Sequence, residues 1–347
     1  MIGTNRRGHG VQPGLSRPGR PEGTQIGLGK FKIDGVVPIV PTPFDAHQEI
    51  DWAALRSLLD FAVHADVEAV CLPAYASEFY KLTEAERRDT IVAAVDHVAG
   101  KTPVIGQVNY PGTLQAVRSV REAKEDGVSA VCCAVPRVFS LDDDALLRHF
   151  DCILRAIDIP LIIQDFNPGN GSLSAGFVRE LHREHPHFQY VKLEEPLMAA
   201  KVEAILQETS GAVGVLEGWG GMFMLELISS GISGVMPGLG ISDILARAFR
   251  LAKAGDSDRA YELFQGVLPQ IVFCLQNMEL YHHAEKLLLE ARGIISGTVV
   301  RQAARTLHEN ETSHIRFLNT KILNLLDRWS LARNPATKTT VAPGTQS

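Results

Sequence analysis

Short apolar runs alternate with longer stretches of helical period along most of the chain. The runs fall at 35–40, 67–72, 103–108, 129–135, 159–164, 188–194, 212–217 and 232–236, each ending in a loop. Between them, apolar positions recur at the spacing of an amphipathic helix near 51–65, 83–99, 112–126, 142–157, 174–184, 197–208, 220–230 and 241–254. Start signals agree with these boundaries. Asp51 opens the first helix, Thr83-Glu84-Ala85-Glu86 is a capping box, and Ser174 and Ser242 are suited to cap. Eight strand–helix units in succession predict an α/β fold, a (β/α)8 TIM barrel. A doubly wound sheet would carry a glycine fingerprint after its first strand, where this chain reads Pro41-Thr42-Pro43-Phe44.

Beyond the eighth unit the strands stop. Helical spacing continues through 260–264, 284–291 and 315–331, which predicts a C-terminal helical subdomain over 256–332 behind a barrel over 31–255. Residues 1–30 hold eight glycines and three prolines, with Arg6, Arg7, Arg17 and Arg20 against the single acid Glu22. Such a segment buries nothing and reads as a disordered, solvated extension; its glycines and prolines oppose the amphipathic helix of a transit peptide, and it has no apolar core for secretion. Residues 333–347 read as a disordered tail.

The alternation also singles out one strand. Over Phe188-Gln189-Tyr190-Val191-Lys192-Leu193-Glu194, strict alternation sends Phe188, Tyr190, Lys192 and Glu194 to one face and Gln189, Val191 and Leu193 to the other. On an edge strand this is a surface ion pair. On the sixth strand of a barrel, with Val191 and Leu193 against helices, Lys192 and Glu194 point inward at the C-terminal end, where barrel enzymes keep their active sites.

Composition narrows the partners. At 347 residues, 45% hydrophobic and with a mean hydropathy of +0.03, the chain is an ordinary globular one. A net charge of −6 offers no electrostatic case for nucleic acid or an anionic membrane, and no apolar run approaches the ~20 residues of a spanning helix. The cysteines, Cys71, Cys132, Cys133, Cys152 and Cys274, are odd in number and lack CxxC spacing. Four of them sit in apolar stretches, so they read as core residues of a cytoplasmic, reducing setting rather than disulfides or metal ligands. His182, His185 and His187 cluster on the side of the barrel away from the strand C-termini, and Glu279, His282, His283 and Lys286 read as packing or subunit contacts. Neither group is taken as a metal site, and no cofactor is called for.

Several segments together resemble the pyruvate-dependent class I aldolase superfamily of dihydrodipicolinate synthase and N-acetylneuraminate lyase. They are Val40-Pro41-Thr42-Pro43-Phe44, Ser77-Glu78, Pro136 with Arg148-His149-Phe150, Tyr190-Val191-Lys192, and Gly231-Ile232-Ser233-Gly234-Val235. The resemblance implies that Lys192 is the Schiff-base lysine, that the partner is a 2-oxo acid, and that the chain forms a homotetramer. The departures are specific. Where family synthases have Gly-Thr-Thr-Gly-Glu, this chain has Ala74-Tyr75-Ala76-Ser77-Glu78, and Arg137-Val138 stands in place of a Tyr-Tyr pair. Strand register puts Gln164 in place of the family's catalytic tyrosine; counting back from Pro168 would put Asp165 there. A synthase lacking its tyrosine relay is not expected. Gln164-Asp165, Lys192-Leu193-Glu194 and Ser77-Glu78 instead resemble the 2-keto-3-deoxy sugar-acid dehydratase branch, that of the L-2-keto-3-deoxyarabonate enzyme.

The expected chemistry follows from the lysine. Its ammonium is not nucleophilic, and burial favours the neutral amine that adds to a 2-oxo group. The resulting iminium draws electrons from C3, allowing loss of a C4 hydroxyl or cleavage of C3–C4. Dehydration leads; a retro-aldolase and a barrel that binds a 2-oxo acid without turnover are the alternatives. Glu194 is either the proton carrier or a counter-ion that holds the lysine charged. Ser77 is a candidate for the substrate carboxylate, Gln164 for a substrate hydroxyl, and Arg137 for a distal carboxylate or hydroxyls. Gly218 lets the chain approach a ligand.

Overall fold

The computed structural model describes residues 31–166 and 172–337. The expectations for residues 1–30 and for the last ten residues of the tail lie outside the described residues. Eight parallel strands form one sheet in the order β1-β8-β7-β6-β5-β4-β3-β2. They are β1 (Gly35–Val36), β2 (Val70–Leu72), β3 (Val104–Gln107), β4 (Ala130–Ala134), β5 (Leu161–Phe166), β6 (Phe188–Glu194), β7 (Gly214–Glu217) and β8 (Gly234–Val235). The two ends of the sheet meet: Ile39 bridges Cys71 in parallel, and Cys71 N–H donates to Pro38 O at 3.0 Å. No open edge is left between β1 and β2.

β1 and β8 are shorter than the apolar runs that announce them. Each is followed by a proline, Pro38 or Pro237, which has no N–H to give the ladder. The apolar alternation separates two layers. Val37, Ile39, Cys71, Cys132, Ile162 and Leu216 fill the barrel interior. Val70, Val131, Cys133, Val191, Leu193 and Val215 face the helices. The adjacent Cys132 and Cys133 thus point to opposite sides.

Helices α1 (Trp52–His64), α2 (Glu84–Val98), α3 (Thr113–Glu125), α4 (Asp143–Leu154), α5 (Ala175–Glu184), α6 (Ala199–Glu208), α7 (Met224–Ser229) and α8 (Ser242–Lys253) alternate with the strands. Asp51 caps α1 through Ala53 and Ala54 N–H, Ser174 caps α5, and Thr83 and Glu86 cap α2 reciprocally. Ser242 is not a cap: it is the first residue of α8, and its hydroxyl donates back to Leu239 O at 2.8 Å.

Three more helices follow, α9 (Ser257–Cys274), α10 (Met278–Ala291) and α11 (Glu309–Arg328). Leu263, Val267, Leu288, Leu289, Ile322 and Leu326 join the same core as the barrel helices. Residues 333–337, expected in the loose tail, are held: Asn334 Nδ2 donates to Gly293 O at 3.1 Å, and Arg333 O accepts from Arg292 at 2.8 Å. Among the described residues no helix is long and apolar enough to cross a membrane.

Candidate active site

The alternation of β6 breaks once, and the break decides what faces inward. β5 pairs Leu161 with Phe188 but Ile162 with Tyr190, so Gln189 is an extra residue and the strand bulges there. Phe188 therefore joins the helix-facing core, contrary to strict alternation, while Tyr190, Lys192 and Glu194 face the barrel interior. Below the site Tyr190 is anchored by Ile33 N–H, which donates to its hydroxyl at 2.9 Å.

Lys192 is 3% exposed, and its Nζ lies 2.8 Å from Glu194 Oε1. Across the ladder Gln164 pairs with Lys192, which aims its amide at the same carboxylate: Nε2 donates to Glu194 Oε1 at 3.2 Å and Oε2 at 3.0 Å. Gln164 Oε1 in turn accepts from Gln107 Nε2 at 2.8 Å, and that nitrogen also reaches Asn109 Oδ1 at 2.8 Å. A row of amides therefore fixes Gln164 with its nitrogen toward Glu194. Gln164, not Asp165, is the inward residue of the pair. Asp165 turns the other way, where it accepts Leu173 N–H at 2.7 Å and pairs with Arg137 and Lys201.

Burial is the largest influence on Lys192 and pulls its pKa down. The Glu194 carboxylate and the buried thiols Cys132 and Cys71 outweigh it, leaving the lysine above its ordinary value. In the resting site Lys192 is an ammonium, and its proton lies against the group that would take it.

A cavity of about 50 Å³ opens over this pair, walled by Tyr75, Gln164, Phe166, Gly218, Ile39 and Tyr281 among others. Tyr75 begins a 3-10 turn, Tyr75–Ser77, at the end of β2 and packs on Phe166 with ring centroids 5.1 Å apart. Burial first, then the Glu194 carboxylate, raises its hydroxyl above the usual phenol range. Gly218 is required for packing: a Cβ there would stand 2.4 Å from Glu194 Cγ and 2.6 Å from Lys192 Cε. A larger cleft of about 440 Å³ lies outside the barrel between α2 and α3. It is lined by Arg87, Arg88, Tyr110 and Asp126 and contains neither Lys192 nor Glu194, which both line the smaller cavity.

The sequence pattern of the dihydrodipicolinate synthetase family matches residues 32–322. The chain belongs to that family. It is 28% identical over 301 residues to the L-2-keto-3-deoxyarabonate dehydratase of Azospirillum brasilense, covering 85% of this chain and 96% of that one. It is 28% identical over 242 residues to a 4-hydroxy-tetrahydrodipicolinate synthase of Methanopyrus kandleri, covering 69% and 80%. The dihydrodipicolinate synthase structure from Rhodopseudomonas palustris superposes with a TM-score of 0.78 at 24% identity, over 86% of this chain and 99% of that one; the match is one of fold. As a dihydrodipicolinate synthetase-family member, the protein is an enzyme of the lyase and aldolase class, and its eight-stranded barrel is the family's.

Not every residue singled out from the family pattern reaches the cavity. Lys192, Glu194, Gln164 and Gly218 converge on it. Ser77 does not line it: its hydroxyl donates to Val40 O at 2.6 Å and accepts from Ala74 N–H at 3.0 Å, its own N–H donates to Ala74 O, and its carbonyl accepts from Thr42. Its hydrogen-bonding capacity is spent on shaping the turn that presents Tyr75. Arg137 is likewise taken up by buried Asp165, outside the cavity lining.

The glycine-rich stretch after β7 is occupied by its own acid. Glu217 accepts Gly221 N–H at 2.7 Å and Phe223 N–H at 3.5 Å, so those amides are engaged within the loop. Burial pushes the Glu217 carboxyl up to about 7.

The rings of His185 and His187 pack edge to face at 5.8 Å, but each histidine of the group has its own partner: His182 bonds Phe188 O, His185 bonds Asp151 and His187 bonds Leu154 O, each near 2.9 Å. Among the described residues no group of acids, histidines and cysteines is disposed to hold a metal ion. Glu279, His282 and Lys286 serve an internal network with Tyr80, Lys81 and Glu78.

Two lining residues, Tyr75 and Tyr281, were not anticipated. Tyr75 stands in a loop whose sequence cue to the site is Ser77, with nothing to mark the tyrosine two residues earlier. Tyr281 comes from a helix with no sequence cue to the site.

Proposed function

We propose that the enzyme dehydrates a 2-keto-3-deoxy sugar acid through a Schiff base at Lys192, with Glu194 as the proton carrier. The observation that carries this reading is the buried Lys192–Glu194 contact at 2.8 Å, held by Gln164 at the mouth of the barrel. The similarity to the Azospirillum dehydratase over nearly the whole of that protein favours the same class of substrate.

The steps balance on these groups. Lys192 passes a proton to Glu194, adds to the C2 carbonyl and, after loss of water, forms an iminium. Glu194, returned to its carboxylate, removes a C3 proton, and the electron pair becomes the enamine. The enamine expels the C4 hydroxyl, which takes the proton from Glu194 and leaves as water. Hydrolysis of the conjugated iminium frees Lys192 and the unsaturated 2-oxo acid. Gln164, which cannot exchange a proton at neutral pH, holds the Glu194 carboxylate in place. The neighbouring reaction, retro-aldol cleavage, would deprotonate the C4 hydroxyl instead and release pyruvate.

Borohydride trapping tests the reading. Incubation with pyruvate or a 2-keto-3-deoxypentonate, then reduction and peptide mapping, is expected to locate one adduct on Lys192. Product analysis is expected to give water loss without pyruvate. An unmodified Lys192 removes both enzymatic mechanisms; pyruvate release replaces the dehydratase by the aldolase; an adduct with no product leaves a binding protein.

A further inference from the structure

α10 begins at the Asn277 cap, and its first turn brings Tyr281 to the wall of the cavity that holds Lys192. Tyr281 is 9% exposed, yet its hydroxyl has no hydrogen-bond partner among the described residues. An orphaned buried hydroxyl costs free energy unless something outside the fold meets it. Its surroundings identify a meeting point. A Cβ at Gly238, the cavity-lining residue in the loop after β8, would stand 2.6 Å from Tyr281 Oη and 2.7 Å from Glu285 Oε2. Hydroxyl and carboxyl thus come up against the same backbone position, across the cavity from no other cation than Lys192 among the described lining residues. The rest of that wall, Ile39, Met236, Leu275 and Met278, is apolar and gives a filling water few partners.

We propose that Tyr281, backed by Glu285, determines specificity at the wall of the site where α10 meets the loop after β8, binding a neutral hydroxyl on the tail of the 2-oxo acid. The proposal deepens the reading under Proposed function and rests on it for the position of the 2-oxo group at Lys192. Charge excludes a tail carboxylate or phosphate. The cations nearest this wall are engaged: Lys286 with Glu78 at 2.6 Å and Val299 O at 2.7 Å, Arg292 with Asp243 at 2.7 Å. Glu285, whose Oε1 accepts Gly240 N–H at 2.7 Å, is itself an acid that would repel an anionic tail. Burial raises that carboxyl to about 7, so near neutrality it both donates and accepts, as a hydroxyl partner should.

The test compares the full-length enzyme with Tyr281→Phe on three acids: pyruvate, 2-oxopentanoate and a 2-keto-3-deoxypentonate. Calorimetric binding is read for all three, and kcat and KM for the hydroxylated acid. Tyr281→Phe is expected to weaken the hydroxylated acid about tenfold, the scale of one hydrogen bond, mainly in Kd and KM. Pyruvate and 2-oxopentanoate are expected to bind as before, and the unfolding midpoint should not fall, because no protein hydrogen bond is lost. Equal weakening of all three acids, or of none, overturns the proposal. So does parent enzyme that binds the pentonate no tighter than 2-oxopentanoate. If pyruvate leaves no reducible adduct on the parent enzyme, the Schiff-base reading fails by itself, and the calorimetric comparison still decides the hydroxyl site.

Discussion

Glu194 is close enough to Lys192 to serve two opposed ends. As a counter-ion it holds the lysine charged, and as a base it takes the proton that charge represents. Glu194→Gln separates them. The amide keeps the shape and can still accept from Gln164, but it can neither carry a proton nor stabilise the ammonium. With the carboxylate gone, burial becomes the governing influence on Lys192, and its pKa falls. Trapping by borohydride should therefore persist with its pH profile shifted to lower pH, while turnover falls by roughly 10²- to 10⁴-fold, the range for a general acid–base residue. Unchanged turnover would remove Glu194 from the mechanism. This pair was legible in the sequence because a two-residue spacing on a strand has one geometric meaning. The engagement of Ser77 and Arg137 was not legible for the converse reason: family position gives their place in the chain, but whether a polar side chain is free depends on neighbours such as Val40 and Asp165. Tyr281 carried no signal at all, since its contact with the site joins residues far apart in sequence.

At the scale of elements, the turn that carries Tyr75 is tied to α10 by charge. Glu78, in a left-handed conformation with φ 59°, and Lys286 are each 1% exposed in their side chains and 2.6 Å apart. Lys81 reaches the other Glu78 oxygen at 3.1 Å, and Arg301 N–H bonds it at 3.1 Å. These bonds tie the β2 loop of the site to α10. Lys286→Met should cost about 3 kcal/mol in urea unfolding, at the low end for breaking a buried pair because Lys81 remains. Adding Glu78→Gln should recover part of that loss, since the stranded charge is then gone; a double variant less stable than the single would show that the pair's geometry matters more than its charge. The eight strand–helix units themselves could be read from the chain because period and length repeat. The bulge at Gln189 could not, since nothing in the local sequence separates it from the alternation around it.

For the whole molecule, buried titratable groups pull its stability against pH in two directions. Glu217 is held up at about 7 by burial, so between about 4.5 and 7 the native state keeps a proton that the unfolded chain has released. Its contribution is therefore present below that window and lost as the pH rises through it. Glu285, also raised to about 7 by burial, acts in the same direction. His282 opposes them: burial first, then Lys286 and Lys81, lowers it to about 2, so the unfolded chain takes up a proton the native state refuses, and stability is lost as pH falls below about 6.5. The parent curve is consequently flattened between about 4.5 and 6.5, where the two effects overlap, and should be read through a variant. Glu217→Gln keeps an oxygen to accept Gly221 N–H while removing the charge. At pH 4 it should come close to the parent, because the carboxyl is then largely protonated in the native and the unfolded chain alike. By pH 8 it should exceed the parent by up to ~3 kcal/mol, the differential implied by a raised carboxyl at ~1.4 kcal/mol per unit. Thermal or urea unfolding at the two pH values measures that gap, and a gap that does not widen with pH means Glu217 is not held protonated by the fold.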